Sequence, residues 1–152
     1  MATQRDNPYG AFNFIVALGG AQGDGSEGSI VGGFSDASGL DTDITYAEYR
    51  NGNEKFNTMR KVPNTHKVSD VTLKRGLVGS TDLFEWMKGV RDGKADPRNV
   101  TITMLDEART TVVTYTLRNA QPKKYTGPTL AAKGGEVAME ELQFVHEGLE
   151  MK

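Results

Sequence analysis

Alternation of apolar and polar residues is the dominant pattern along this chain, and alternation predicts strands. In residues 11–18, AFNFIVAL, positions Phe12, Phe14, Val16 and Leu18 share one face and Asn13, Ile15 and Ala17 the other. Glycines then crowd residues 19–29 too densely for a regular element. That stretch is expected to be a long hairpin tip, with Ile30 to Phe34 returning as a strand. A turn at Ser38 and Gly39 leads into an alternating strand from about Asp43 to Tyr49. From Val68 to Arg75, Val71 and Leu73 alternate with the outward Asp70, Thr72 and Lys74. The β-branched runs RNVTITML (98–105) and TTVVTYTL (110–117), joined by DEAR, predict the strongest hairpin, with Thr101, Thr103, Thr114 and Thr116 on polar faces.

Three stretches break this pattern. Residues 51–67, NGNEKFNTMRKVPNTHK, mix charge with isolated apolar residues and show no sustained period, which predicts a long irregular loop over 50–67. Residues 80–92 hold the one convincing helical period. Ser80 or Thr81 can cap it, Asp82 and Glu85 sit in the first turn where the helix dipole favours acids, and Gly93 can end it. Leu83, Met87 and Val90, flanked by Phe84 and Trp86, form its apolar stripe, expected to pack on the sheet. The third stretch is 118–148, where a Pro/Gly-broken loop feeds a last periodic segment. Ala138, Leu142, Val145 and Leu149 fall at helical spacing among strong helix formers, so propensity favours a helix. Read instead as a strand, Val137 and Met139 share one parity and Leu142, Phe144 and His146 the other, which requires a bulge near Glu140 and Glu141.

At 152 residues the chain is sized for one domain, 1–152, able to bury roughly 68–70% of its unfolded surface. It has no cysteine, hence neither a disulfide framework nor a thiolate metal site. The first ten residues are polar and carry acid, unlike a signal peptide, so folding in the cytoplasm is expected. The net charge of −2 conceals a division. Residues 1–58 carry eight acids and three bases, 59–135 seven and fourteen, and 136–152 five and one. With no basic helix and no interleaved aromatics, a specific nucleic-acid site is not expected, and complementary surfaces meeting between copies are.

Candidate chemistry is thin. The glycines of 19–29 lack GxxxxGK[ST], and the acids Asp36, Asp41 and Asp43 fail the EF-hand spacing because the sixth position from Asp36 is Asp41 rather than glycine. No GxSxG or HExxH occurs. His146 and Glu147 are adjacent, so on a strand they point to opposite faces, and His66 is expected on the surface. No catalytic residue, metal ligand or cofactor is assigned. The residues alone leave two classes open: a small-ligand-binding β-barrel, or a self-assembling structural protein.

Motifs in a fixed order narrow the choice. They are Phe34, Ser35, Ser38, Gly39 and Leu40; then Glu48, Tyr49, Arg50 and Gly52; DVTLKRG at 70–76; Asp82, Leu83, Phe84 and Trp86; and VTI-x-x-LDEA from Val100. The carboxyl end adds Asn119, Ala120, Pro122, Lys124, Gly127 and Pro128, then Glu136, Val137, Ala138, Glu140, Leu142, His146, Glu147 and Gly148. In combination these resemble the tail tube, or inner tube, proteins of contractile phage tails and of phage-tail-like extracellular contractile injection systems. Tyr115 and Gln121 stand where relatives commonly carry tryptophan, and residues 19–29 are longer than the usual tip.

The resemblance implies a mainly β fold with one α-helix, an antiparallel β-barrel or sandwich of the phage tail tube type with a long ring-stacking loop. It implies that the last segment is a strand, against its propensity. It further implies a non-enzymatic virion or particle component: hexameric rings, stacked into a hollow tube that sheath contraction drives through a target envelope while it conducts DNA or effector proteins. Inter-ring stacking would fall to Arg50, Asn53, Lys55, Phe56, Met59, Arg60 and Lys61. Implied partners are other copies of the chain, a contractile sheath, baseplate or tube initiator and terminator proteins, and the lumenal cargo, with no membrane anchor. Assembly would take place in the bacterial cytoplasm, in a phage tail or a particle that can be released. A tube-initiating or baseplate paralogue, forming one terminal ring, is the alternative within the family.

Overall fold

The computed structural model of the protein describes residues 4–19 and 30–152. Its elements are β1 (Phe14–Leu18), β2 (Ile30–Gly32), β3 (Asp36–Ser38), β4 (Thr42–Tyr49), β5 (Arg60–Val68), β6 (Val71–Gly76), α1 (Asp82–Arg91), β7 (Arg98–Leu105), β8 (Thr111–Thr126), β9 (Met139–Val145) and β10 (Gly148–Met151). One antiparallel sheet follows the order β2-β1-β7-β8-β9-β6-β3, with β10 also on β8, while β4 and β5 form a separate two-stranded ribbon. The path is open, ending at β2 and β3. The expected Gly-rich tip, Gly19 apart, lies outside the described residues.

β8 joins the two halves of the sheet. Its first half pairs with β7 and β10, and from Gln121 onward it pairs with β9. Between them Asn119 adopts φ 50°, a left-handed conformation that asparagine tolerates better than most residues. Both halves bury their inward residues in one core: Val16, Leu18, Val100, Ile102 and Leu117 from one, Val71, Leu73, Leu142 and Phe144 from the other. Leu83 and Trp86 of α1 complete it.

Several expectations change here. The segment 118–128 is no Pro/Gly-broken loop, because β8 runs on to Thr126, with a register shift at Pro122 and Lys124 that absorbs the missing proline N–H. The segment after it is a strand despite its helix formers, yet its buried face does not switch at Glu140 and Glu141. Glu140, Leu142, Phe144 and His146 are all buried, and no bulge is needed because Glu140 behaves as a core residue. Residues 60–68 form β5 rather than loop. All of β5 but Val68 is exposed, so no core imposes an apolar period that could be read. Phe12 precedes β1 and is exposed.

The helix keeps its place and loses one cap. Thr81 occupies the N-cap without capping; its hydroxyl donates to Glu85 Oε1 at 3.0 Å, and Asp82 Oδ1 accepts the Leu83 N–H at 2.9 Å instead. Gly93, at φ 95°, turns the chain out of the helix. The stripe is narrower than expected: Leu83 and Trp86 are buried, Val90 is partly buried against the core and Met87 is intermediate. Phe84 is exposed and meets Tyr125 edge-on, with centroids 5.6 Å apart. At the ribbon's base, Gly39 has φ 90°, and a Cβ there would collide with the Asp70 carbonyl oxygen.

Candidate assembly surfaces

The ribbon stands apart from the core, and every residue of β4 is exposed. Pairing fixes its faces. Ile44 lies opposite His66 and Tyr46 opposite Pro63, while the other face carries Ala47 opposite Val62 and Tyr49 opposite Arg60. Ile44, Tyr46, Tyr49 and Val62 are large apolar or aromatic residues left in water. Two strands alone are marginally stable, so such a ribbon gains from a partner surface.

Its tip, by contrast, is internally tied. The Arg50 guanidinium donates to the Phe56 carbonyl at 3.0 Å, the Glu54 carbonyl at 3.0 Å and Asn57 Oδ1 at 3.4 Å. Of the seven residues expected to stack, Arg50 is therefore spent on holding the turn. Arg60 pairs with Glu54 at 2.7 Å and Lys61 with Glu48 across the ribbon, where the lysine's hydrogen bond holds the Glu48 carboxyl below its usual range. Asn53, Lys55, Phe56 and Met59 remain exposed, Phe56 at 80%.

A buried ion cluster positions the helix. Arg75, on β6 in phase with Val71 and Leu73, donates through Nε to Glu140 and through Nη2 to Asp82, and its guanidinium lies 5.7 Å from the Phe34 ring centroid. The Tyr125 hydroxyl donates to the other Glu140 oxygen at 2.7 Å. Burial pushes the Asp82 carboxyl up, but hydrogen bonds from Arg75 and Ser80 outweigh it and hold the group below its ordinary range. Burial, and then Glu140, push the Tyr125 phenol up. The signal for this cluster was present in the parity of Arg75 and Glu140, each two residues from a core position.

The carboxyl-terminal motif residues lock one bend onto another. His146 is buried, its Nε2 2.9 Å from the Ser69 carbonyl oxygen and its Nδ1 3.2 Å from that of Gly148. Glu147 points out, as adjacency predicts; it accepts from Asn119 Nδ2 at 2.8 Å, and its N–H donates to the Arg118 carbonyl at 2.9 Å. The turn between β9 and β10 is thus fastened to the corner of β8. Gly148 is buried where a Cβ would meet the Arg118 guanidinium. Ser38 ends β3, Leu40 packs against the core, Pro122 is buried, and Gly127, Pro128 and Glu136 lie in the connection from β8 to β9. The uneven charge along the chain closes partly inside it, through Arg75 with Glu140 and Lys61 with Glu48. Among the described residues, no three His, Cys, Asp or Glu lie together as a metal site, and no helix is long and apolar enough to cross a membrane.

An open antiparallel sheet with one docked helix and an unpartnered ribbon defines a subunit built for contact with other chains. The sequence matches the T4-like virus tail tube protein gp19 family over residues 10–150, and the chain belongs to that family. A search of curated proteins found no match. Among solved structures it is similar to a chain of the sheath-tube complex of an extracellular contractile injection system (PVC) in the extended state, at 26% identity and TM-score 0.81, covering 97% of this chain and 93% of that one. It is also similar to a chain of the anti-feeding prophage (AFP) baseplate, at 21% identity and TM-score 0.84, covering 97% of each. Hcp1 from Flavobacterium johnsoniae shares the fold at 14% identity and TM-score 0.52, with 90% of this chain and 94% of that one covered.

Proposed function

We propose that the protein is the inner tube subunit of a contractile tail or injection particle, and that six copies close a ring whose copies stack into a rigid hollow tube. The observation that carries this reading is the ribbon, whose exposed apolar residues lie on a projection rather than on a patch of the body. A projection on one surface that docks on a different surface of the next copy is a heterologous contact, and a heterologous contact that does not close builds a filament. Membership of the tail tube family supports the same reading.

Within such a particle the tube is enclosed by a sheath, begins on a baseplate and ends at a terminator, as the similarity to chains from a sheath-tube complex, a baseplate and a tube-terminating cap supports. Its work is mechanical: on contraction it is pushed through a target envelope and conducts cargo. It needs no reacting group and no cofactor, and it assembles in the bacterial cytoplasm. Native mass spectrometry of the smallest assembled species tests the ring, with six chains expected; a species of two chains, or none above the monomer, contradicts it.

A further inference from the structure

Both ring nitrogens of His146 meet backbone carbonyl oxygens, Nε2 that of Ser69 at 2.9 Å and Nδ1 that of Gly148 at 3.2 Å. A carbonyl oxygen can only accept, and a neutral imidazole carries one N–H and one lone pair. The neutral ring therefore bonds one carbonyl and sets a lone pair against the other, whereas an imidazolium donates to both. His146 is 8% exposed, so water is a poor substitute at either contact. Ser69 directly follows β5, and its N–H donates to the carbonyl of Asp41, just ahead of β4, at 3.2 Å. One bond to Ser69 thus reaches the base of both ribbon strands. Gly148 opens β10, in the turn that Glu147 fastens to Arg118. The charged side chains nearest along these segments are Asp41 and Lys67 at the ribbon's base, Asp70 paired with Lys123 at 2.6 Å, Glu147 bonded to the Asn119 amide, Arg118, and Glu150 on β10. Acids outnumber bases among them, so the local charge does not repel a positive ring.

We propose that His146 is a proton-operated clamp on the ribbon: the imidazolium grips Ser69 and Gly148 together and fixes the ribbon's base to the turn between β9 and β10, and loss of its proton releases one of them. The grip is present at low pH and is lost as the pH rises. Histidine is the side chain whose charge ordinarily changes between about pH 5 and 8, which puts the switch within the range a particle meets. The consequence for assembly rests on the tube reading: a ribbon held at its base meets the next copy in one orientation, and a released one must be ordered first. The clamp itself belongs to the single chain and does not depend on that reading.

The chain has two histidines and His66 is exposed, so His66→Gln leaves His146 to be observed by itself. Heteronuclear NMR of that variant, kept dilute and monomeric, reads the ring directly. Two protonated nitrogens at acid pH, giving way to one as the pH rises, are expected. Protection of the Ser69 amide from hydrogen exchange, corrected for the intrinsic rate, should fall about tenfold or more through the same transition, the worth of one charge-assisted hydrogen bond. His146→Gln, which cannot titrate, should show protection that stays level over that interval. A ring with one protonated nitrogen at every pH where the protein is folded, or Ser69 protection that ignores the ring's titration, overturns the clamp. On the assembled protein, the concentration needed for tubes should rise over the same interval in the parent and not in His146→Gln. A parent that never assembles defeats the tube reading alone, because the ring and the Ser69 amide are read on the monomer.

Discussion

Arg75 and Glu140, 65 residues apart in the chain, form an ion pair inside the protein, and both are almost fully buried. The same guanidinium reaches Asp82 at the start of α1, so one side chain ties β6, β9 and the helix. Removing one member leaves an unpaired buried charge. Glu140→Ala or Arg75→Ala is expected to cost about 3–5 kcal/mol in urea unfolding, whereas Arg75→Met with Glu140→Leu should recover much of that loss.

The cluster also sets a pH dependence. Asp82 is held below the ordinary carboxyl value of 3.8, so its contribution is complete above that pH and is lost as the pH falls through the lower folded value. Tyr125 is raised above 10.0, so its contribution is complete below that pH and is lost as the pH rises through the higher folded value. Urea midpoints measured across pH should fall at both ends. Asp82→Asn is expected to flatten the acid limb and Tyr125→Phe the alkaline one.

Trp86 is buried, packs against Phe144 with centroids 6.3 Å apart, and donates its indole N–H to the Asp96 carbonyl at 2.9 Å. Trp86→Ala should destabilise the fold by about 3–5 kcal/mol. Phe84→Ala, at an exposed position with one edge-on partner, should lose far less. Paired thermal melts distinguish the two.

What the sequence made legible follows burial. Val71 and Leu73, the threonine-faced hairpin and the helix from Asp82 could be read because a core imposes period on them. Three features escaped for physical reasons. β5 pairs with β4 alone among the described strands and covers no core, so Arg60 to Lys67 carry no apolar rhythm. Arg75 and Glu140 are charged residues buried by each other, and a polarity pattern places such residues outside. β8 continues through Asn119 and Pro122, whose local preferences signal a loop until the register shift accommodates them. Of the residues expected to stack, Phe56 and Lys55 are exposed at the tip, whereas Arg50 holds the turn from within.

Because the tip is tied by its own hydrogen bonds and the core lies elsewhere, the two should separate experimentally. Replacing residues 51–58 with an Asn-Gly turn closes the ribbon in a favoured hairpin. The variant is expected to melt within about 0.5 kcal/mol of the parent, the range for surface changes, and to stay unassembled at concentrations where the parent forms tubes. Sedimentation velocity beside a thermal melt reads both properties.

Negative-stain electron microscopy of the purified protein over a range of concentrations tests the tube reading most directly. Long hollow tubes of one diameter, growing in number with concentration, are the predicted result. A monodisperse monomer at every concentration would contradict it.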